Sequence, residues 1–347
     1  HFLCIMYIGP FHIANRAFVA PMAGVTDRPF RKLCKQLGAG YAVSEMVTSR
    51  PDLRESLKTS KRLDHAGEPG PIAVQIAGTD SNMMAEAARY NIERGAQIID
   101  INMGCPAKKV WNKWAGSALM QDEDLAIDIM AEVVNAASAH GVPVTLKMRT
   151  GWRADQINAL DLALAAEQCG IQMITIHGRT REMGYGGEAQ HDTVAEIKSR
   201  VKVPVVANGD IDSPQKAAQI LSQTGVDAVM IGRAAQGRPW IFREINHYLK
   251  TGEKLAPPLV AEVKRLMYEH MVEHYDLHGE WVGVRSVRKH LGWYVAHVPG
   301  GASFRTRFNL LLTPEEQLKA ANEFWDEVAS GGDRLPNPSQ YTSETIA

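Results

Sequence analysis

Cysteine is scarce in this chain: there are four among 347 residues, and Cys4, Cys34, Cys105 and Cys169 stand too far apart to form a CxxC or a Cys/His metal pattern. That excludes a disulfide-stapled scaffold and argues against structural zinc, so reduced thiols and no metal are expected. An excess of one charge is also lacking. With 38 Lys and Arg against 39 Asp and Glu, the formal net charge is -1, and a polyanionic partner would need a local basic patch rather than the field of the whole molecule. No apolar run approaches the ~20 residues of a membrane-spanning helix. The opening HFLCIMYIGPF is apolar but short, with no basic segment before it and no small-residue cleavage site after it. A cytoplasmic protein without membrane contact is expected, and because the chain opens on His1 rather than Met, its first positions carry little weight. The GxGxxG turn that announces an open doubly wound sheet is missing too, since the position after the first strand-like run reads PMAGVTD.

What is present is a repeated unit: a short apolar run, a small or polar residue at its end, then a stretch with helical spacing. The runs are AFVAPMA (17–23), YAVSEM (41–46), PIAVQIAG (71–78), IIDINMGCP (98–106), PVTLKMRTG (143–151), MITIHGRT (173–180), PVVANGD (204–210) and AVMIGRA (228–234). Short strands that are apolar throughout and alternate with helices imply a parallel sheet buried on both faces, and eight of them fit a closed barrel. Helix signals fall between them, such as Thr79-Asp80-Ser81 ahead of MMAEAARYNIERG and Asp212-Ser213-Pro214 ahead of QKAAQILSQTG. Around 251–259 Gly252, Pro257 and Pro258 break the pattern, and only helical spacing follows to about Val328. The expected fold is α/β, a (β/α)8 TIM barrel (1–250) with a smaller C-terminal all-helical domain (251–330) and a polar, disordered tail (331–347). The apolar content of 45% is enough to fill both cores.

In such a barrel the site is built at the C-terminal ends of the strands. The polar residues there are Glu45, Gln75, Asn102, Cys105, Lys147, Arg149, His177, Arg179, Asn208 and Asp210, with Pro21 and Met22 after the first strand and Gly232 and Arg233 after the last. Any one of them alone is an ordinary structural hydrogen-bonding group; their recurrence at nearly every strand end points to a ligand. Small residues in ANGDI and IGRAAQGRPW let backbone approach a phosphate, for which the Gly232–Ala234 amides and the Arg233 guanidinium are suited donors. Lys147 sits mid-barrel, where an ammonium needs an anionic partner. A reduced flavin, with negative charge at N1 and O2, is one such partner and Glu45 is another, while Gln75 and His177 can bond a flavin's edge. Cys105 lies on the loop after the fourth strand. A cysteine thiol ordinarily titrates near ~8.5, so it is mostly protonated at neutral pH and can serve as a general acid.

These residues carry a family resemblance. APMAGVTDRPFR, VQIAG, DINMGCPAKKV, TLKMRTGW, TIHGRTR, ANGDI and MIGRAAQGRPWIFREI, in this order, resemble the bacterial tRNA-dihydrouridine synthases, nearest the synthase B type, from about Ile8 to Leu311. The C-terminal RKHLGWY is similar to that family's helical RNA-binding domain. The resemblance implies FMN, bound by residues matching Pro21, Met22, Ala23, Gln75, Lys147, His177, Asn208, Asp210, Gly232 and Arg233, with NADPH as reductant. It implies that Cys105 is the catalytic acid and that Asn102 helps position the uracil. The implied reaction is hydride delivery to C6 of a flipped-out D-loop uridine and protonation at C5, with Asn102 or Arg149 stabilising charge at O4.

A tRNA partner needs basic groups. Lys108 and Lys109 follow Cys105, Arg149 and Arg179 line the mouth, and residues 281–310 hold Arg285, Arg288, Lys289, Arg305 and Arg307 without an Asp or Glu. Helical spacing puts Arg285, Arg288 and Lys289 on one face beside His290. The sequence departs from the family where Trp111-Asn112-Lys113-Trp114 follows CPAKKV: two indoles on this loop can stack on bases or occlude the substrate. Two alternatives stay open, a dihydroorotate-dehydrogenase-like flavin barrel with another acceptor and an RNA-binding protein with impaired catalysis. A monomer is expected.

Overall fold

A computed structural model of the chain describes residues 6–53, 57–106 and 115–336. Every one of the eight apolar runs contributes a strand: β3 (Ala17–Val19), β4 (Tyr41–Ala42) and β5 (Val47–Thr48), β6 (Ala73–Ala77), β7 (Ile98–Met103), β8 (Val144–Arg149), β9 (Ile174–His177), β10 (Val205–Asn208) and β11 (Ala228–Ile231). The second run gives β4, and the stave resumes as β5 just past the end of that run, after residues 43–46, so nine strands make eight staves. Neighbours pair in parallel in the order β4-β3-β11-β10-β9-β8-β7-β6-β5. Closure comes through the second run itself, because Val43 bridges Ala73 while β5 pairs β6. The strands are buried on both faces, which is why they read as unbroken apolar runs rather than alternating ones.

Helices α1 (Arg28–Gln36), α2 (Leu57–Arg62), α3 (Ser81–Glu93), α4 (Glu123–Ser138), α5 (Ala159–Cys169), α6 (Asp192–Arg200) and α7 (Pro214–Thr224) follow the strands. Their starts match the capping residues in the sequence: Asp80 accepts from the Met83 amide, and Ser213 from the Lys216 amide with Pro214 in the first turn. The opening segment, to which the sequence gives little weight, holds an element of its own. β1 (Met6–Ile8) and β2 (Phe11–Ile13) form an antiparallel hairpin. Its Met6, Ile8 and Ile13 pack with Phe18, Tyr41, Ala73, Ile98, Met173, Val206 and Ala228 at the strand starts. The barrel floor is therefore filled with apolar side chains, which leaves the C-terminal ends of the strands for a ligand.

The chain divides into two compact units, His1–Gly232 and Arg233–Ala347. The division falls ahead of the expected boundary at 250/251, because glycine and proline mark a change of composition rather than the place where contacts thin out. In the second unit a 3-10 turn at Arg233–Ala235 leads to α8 (Ile241–Thr251), α9 (Val260–His278), α10 (Glu280–Tyr294), α11 (Gly301–Phe308) and α12 (Pro314–Ser330). Gly279 alone joins α9 to α10 with φ 74, a left-handed conformation that suits glycine. Phe304 stacks on Phe324 at 4.2 Å, and Trp325 is fully buried. Buried Gln317 ties three helices together, accepting from Tyr275 at 2.7 Å and donating to the Val284 carbonyl at 3.1 Å. A disordered tail from 331 is not what the described part shows: Val260 N donates to Asp333 O and Leu335 N to Pro258 O, so backbone pairing holds 333–335 in place despite their polar sequence. No described helix is long and apolar enough to cross a membrane.

In the barrel unit, α1 anchors the loop after β3. Arg31 is buried and donates to the Thr26 carbonyl at 2.7 Å, and the Thr26 hydroxyl exchanges hydrogen bonds with Met22. The Arg31 charge is met by Glu68 at 2.8 Å, which also takes Lys35 at 2.9 Å and His65 at 2.9 Å. Burial alone would raise the Glu68 pKa, but His65, Arg31 and Lys35 together hold it far below the usual carboxylate range. Its contribution to stability is therefore present above the unfolded value of ~4.3 and is lost as pH falls toward the folded one. Glu68→Gln is expected to cost ~3–5 kcal/mol in urea unfolding at pH 7, since it leaves Arg31 as a buried charge without its counterion, and the deficit should shrink below pH ~4. Equal stability of the two proteins at pH 7 would remove this network as the anchor.

Candidate active site at the carboxyl ends of the barrel strands

One buried polar group under the mouth is one that the strand-end pattern did not single out, Asp100 in the middle of β7. Its carboxylate is buried and accepts from the Gln75 amide at 2.6 Å and the Thr145 hydroxyl at 2.6 Å. Burial raises its pKa against the pull of those two donors and of the Lys147 charge. An aspartate inside an otherwise apolar strand was the available signal. Above it the bonds continue upward. Gln75 Oε1 accepts from Asn102 Nδ2 at 2.8 Å, and Asn102 Oδ1 accepts from the amides of Gly104 and Cys105 at 3.2 and 3.1 Å. On the far side of the loop, the Cys105 carbonyl accepts from the Ser117 hydroxyl at 2.9 Å. Asn102 is thus a positioning residue for Cys105, whose half-buried side chain it holds at the mouth.

Lys147 lies opposite Asn102 in the β7–β8 register. Glu45, the alternative partner, is engaged elsewhere, by the Gly24 amide at 2.6 Å and by Arg62 at 3.3 Å. Lys147 Nζ donates to the neutral Asn208 Oδ1 at 3.1 Å, and Asn208 in turn donates to the Met230 carbonyl. Burial, and then the Arg149 charge, lower the Lys147 pKa to about 8 against the opposing effect of Asp100 and Cys105. A half-buried ammonium depressed this far is one that an arriving anion stabilises.

The two arginines expected at RNA are placed differently. Arg149 is 1 % exposed and donates to the carbonyls of Gly104, Thr180 and Gly184 at 2.9, 2.9 and 2.8 Å, tying the Cys105 loop to the one after β9. Arg179 is 2 % exposed and holds both Asp210 oxygens at 2.8 and 2.7 Å, along with the Gly186 and Gly187 carbonyls. Guanidinium groups in the interior satisfy several carbonyls at once, which is why sequence position at the rim misled. Asp210, expected at the cofactor, accepts from Arg179 and from the Ala189 amide, bonds that keep its backbone at φ 53. Beside it Gly209 has φ 116, and a Cβ there would meet the His177 ring at 2.9 Å, so glycine is what lets His177 lie against this turn.

The mouth therefore brings together Gln75, Asn102, Cys105, Lys147, His177 and Asn208. Pro21 and Met22 follow β3 and lead into a turn that starts at the exposed Ala23, closed by the Val25 amide donating to the Met22 carbonyl at 3.0 Å. A Cβ at Gly232 would make ordinary van der Waals contact with the Met22 and Ala20 side chains, at 3.7 and 3.8 Å. Arg233 opens the second unit. Lys108, Lys109, Trp111 and Trp114 lie outside the described residues. In the helical unit Arg285, Arg305 and Arg307 are exposed and Arg288 and Lys289 half-buried, while His290, expected on the same face, is 2 % exposed and lies in the core. The buried stripe of α10 runs Val284, Val287, His290, Leu291 and Tyr294, one position round from Lys289.

By architecture the chain is a (β/α)8-barrel enzyme. Solved structures share the fold at low identity: a 2-naphthoyl-CoA reductase complex (TM-score 0.53, 13% identity, 72% of this chain and 52% of that one) and 6-hydroxypseudooxynicotine amine oxidase from Pseudomonas geniculata N1 (TM-score 0.56, 16%, 76% and 52%). The chain belongs to the dihydrouridine synthase family, whose model, Dihydrouridine synthase (Dus), matches residues 18–329, and it is an oxidoreductase. Relatives named tRNA-dihydrouridine synthase B include that of Xanthomonas campestris pv. campestris, 56% identical over 94% of this chain and 97% of its own. That of Pseudomonas aeruginosa is 56% identical over 95% and 98%, and that of Salmonella typhimurium 53% over 93% and 100%.

Because the Lys147 ammonium of the flavin-free protein is lost as pH rises through about 8, affinity for an anionic flavin phosphate cofactor is expected to weaken above that pH. Fluorescence titration of the flavin-free protein with FMN from pH 7 to 9.5 should show that dependence, and Lys147→Met should abolish it while lowering affinity roughly 10-fold or more, the loss of about 1.4 kcal/mol. A Kd that stays constant across the range in wild type would mean that Lys147 does not face the cofactor.

Proposed function

We propose that this chain reduces the C5=C6 bond of a D-loop uridine in tRNA to 5,6-dihydrouridine, with FMN held in the barrel mouth and NADPH as reductant. Membership of the dihydrouridine synthase family supports the reaction, and the names of the relatives support tRNA as its substrate. The observation that carries the reading is the Cys105 thiol, held at the mouth through Asn102 on the strand that adjoins Lys147. FMN fits the donors present: Lys147 supplies a half-buried cation, and Gln75, His177 and Asn208 supply polar edges. When bound, FMN supplies the hydride that reaches C6 of the uracil.

The remaining steps belong to the chain. Cys105 gives its proton to C5, and the thiolate left behind recovers a proton from solvent. Asn102 fixes the thiol's loop, and Arg149, through the Gly104 carbonyl, fixes it from the other side. Lys147 holds negative charge in place on the neighbouring stave. A stacked uridine cannot reach this depth, so the base must be flipped out.

The tRNA body is assigned to the helical unit. Arg285 stacks on the exposed Trp281 ring at 3.4 Å, a flat cationic platform suited to a nucleobase or ribose-phosphate edge. Gly292 lets the Arg305 side chain cross α10 closely, since a Cβ there would meet Arg305 at 3.1 Å, and this gathers Arg305 toward the α10 arginines.

Protein, NADPH and modification-free tRNA, analysed by nucleoside mass spectrometry, should give a gain of two hydrogens on one D-loop uridine. Cys105→Ala should keep the flavin spectrum and its reduction by NADPH yet slow dihydrouridine formation ~10²–10⁴-fold; turnover within a factor of two of wild type would remove Cys105 as the acid. The double variant Arg285→Glu and Arg305→Glu should raise KM for tRNA and flatten its salt dependence by about one unit of log-log slope per lost phosphate contact, without changing flavin reduction. An unchanged KM would place the RNA surface elsewhere.

A further inference from the structure

Three histidines of the helical unit meet between α9 and α10. His270 and His274 are one helical turn apart on α9, and His290 comes across from α10. They are 3 %, 1 % and 2 % exposed. Their ring centroids lie 4.7 Å (His270 to His290), 5.2 Å (His274 to His290) and 6.3 Å (His270 to His274) apart. One ring nitrogen from each falls within 4.8 Å of the other two. Imidazole is otherwise uncommon in a helix–helix core, where aliphatic side chains pack better.

The bonds around the cluster are compatible with neutral, ligating imidazoles. The Ser286 hydroxyl lies 2.8 Å from the Val282 carbonyl and 2.6 Å from His274 Nε2, so it can donate to the carbonyl and accept from Nε2–H. That tautomer of His274 carries its lone pair on Nδ1. His270 Nδ1 lies 3.3 Å from the Tyr294 hydroxyl, which can accept its proton and leave the lone pair on Nε2. Both arrangements have the form of the outer hydrogen bonds that orient metal-bound histidines. The ring nitrogens His270 Nε2, His274 Nδ1 and His290 Nε2 are all shielded from solvent.

We propose that His270, His274 and His290 form a binding site for a divalent transition-metal ion of the zinc type, which clamps α9 to α10 in the helical unit. Neutral imidazoles suit Zn²⁺, Co²⁺, Ni²⁺ and Cu²⁺, and three of them leave a fourth position for water. Bonds of ~2.1 Å draw tetrahedral ligands to about 3.4 Å from one another, so binding contracts the cluster by small rotations of the rings. A metal was not expected from the sequence. The His270–His274 pair has the i, i+4 spacing of helical metal ligands and was visible there, but the third ligand comes from a helix whose inward face the sequence did not resolve.

The test uses the full-length chain, free of any affinity histidine tag and stripped with chelator, titrated with Co²⁺ while its visible ligand-field bands are followed. One equivalent with the absorption of a tetrahedral or five-coordinate nitrogen site, displaced by Zn²⁺, is expected. His274→Leu and His290→Gln should each weaken Co²⁺ binding ~100-fold or more, whereas His297→Gln, at an exposed position, should not. X-ray absorption of the wild-type zinc form needs no variant and should give three imidazoles. Binding no tighter than millimolar, binding unaffected by His274→Leu, or a shell with fewer than three imidazoles would each overturn the site and leave a packed cluster of neutral rings.

Discussion

The Asp100 carboxylate, sealed beneath the barrel mouth, sets the position of nearly everything above it. It engages Gln75 and Thr145; Gln75 engages Asn102; and Asn102 takes the two amides that hold the Cys105 loop. Each group satisfies the one beneath it, so the chain is a case where polar groups in a low-dielectric interior are stable only as a complete set. Breaking any link leaves a buried donor or acceptor without its bond, which costs more than the bond itself contributes. The thiol is thus located by the interior of the barrel rather than by its own loop.

Lys147 stands beside this network as its electrostatic counterpart. A half-buried ammonium set against a neutral amide is poorly solvated, and the depressed pKa records that cost. The Asp100 carboxylate on the neighbouring strand offsets part of it. The arginines that surround it act in the opposite sense. Arg149 and Arg179 are engaged by carbonyls and by Asp210, so they stiffen loops, whereas the half-buried Lys147 donates to the neutral Asn208 amide.

The helical unit follows a different logic. α10 divides its faces by a single position: Lys289 is half-buried beside Arg288 on one side, and His290 points into the core on the other. The exposed Trp281–Arg285 stack and the exposed Arg305 and Arg307 concentrate cationic surface in a chain whose net charge is -1. A local patch of this kind holds a polyanion at short range, where the overall field does not.

The sequence by itself determined the eight staves and their order, because a strand buried on both faces must be apolar throughout and eight such runs between capped helices admit few topologies. It also determined which residue types reach the mouth, since parallel strands put all their C-terminal ends on one side. Only the tertiary structure decided what those residues do there. Glu45 went to Arg62 instead of Lys147, Arg149 and Arg179 turned inward to carbonyls, Asn102 became the support of Cys105, and Asp100 emerged as the base of the network. Each outcome depends on which donor meets which acceptor across strands tens of residues apart, and local periodicity carries no information about that. The same holds for the hairpin that fills the barrel floor and for the three histidines, whose meeting is fixed by the packing of two helices and not by the spacing within either one.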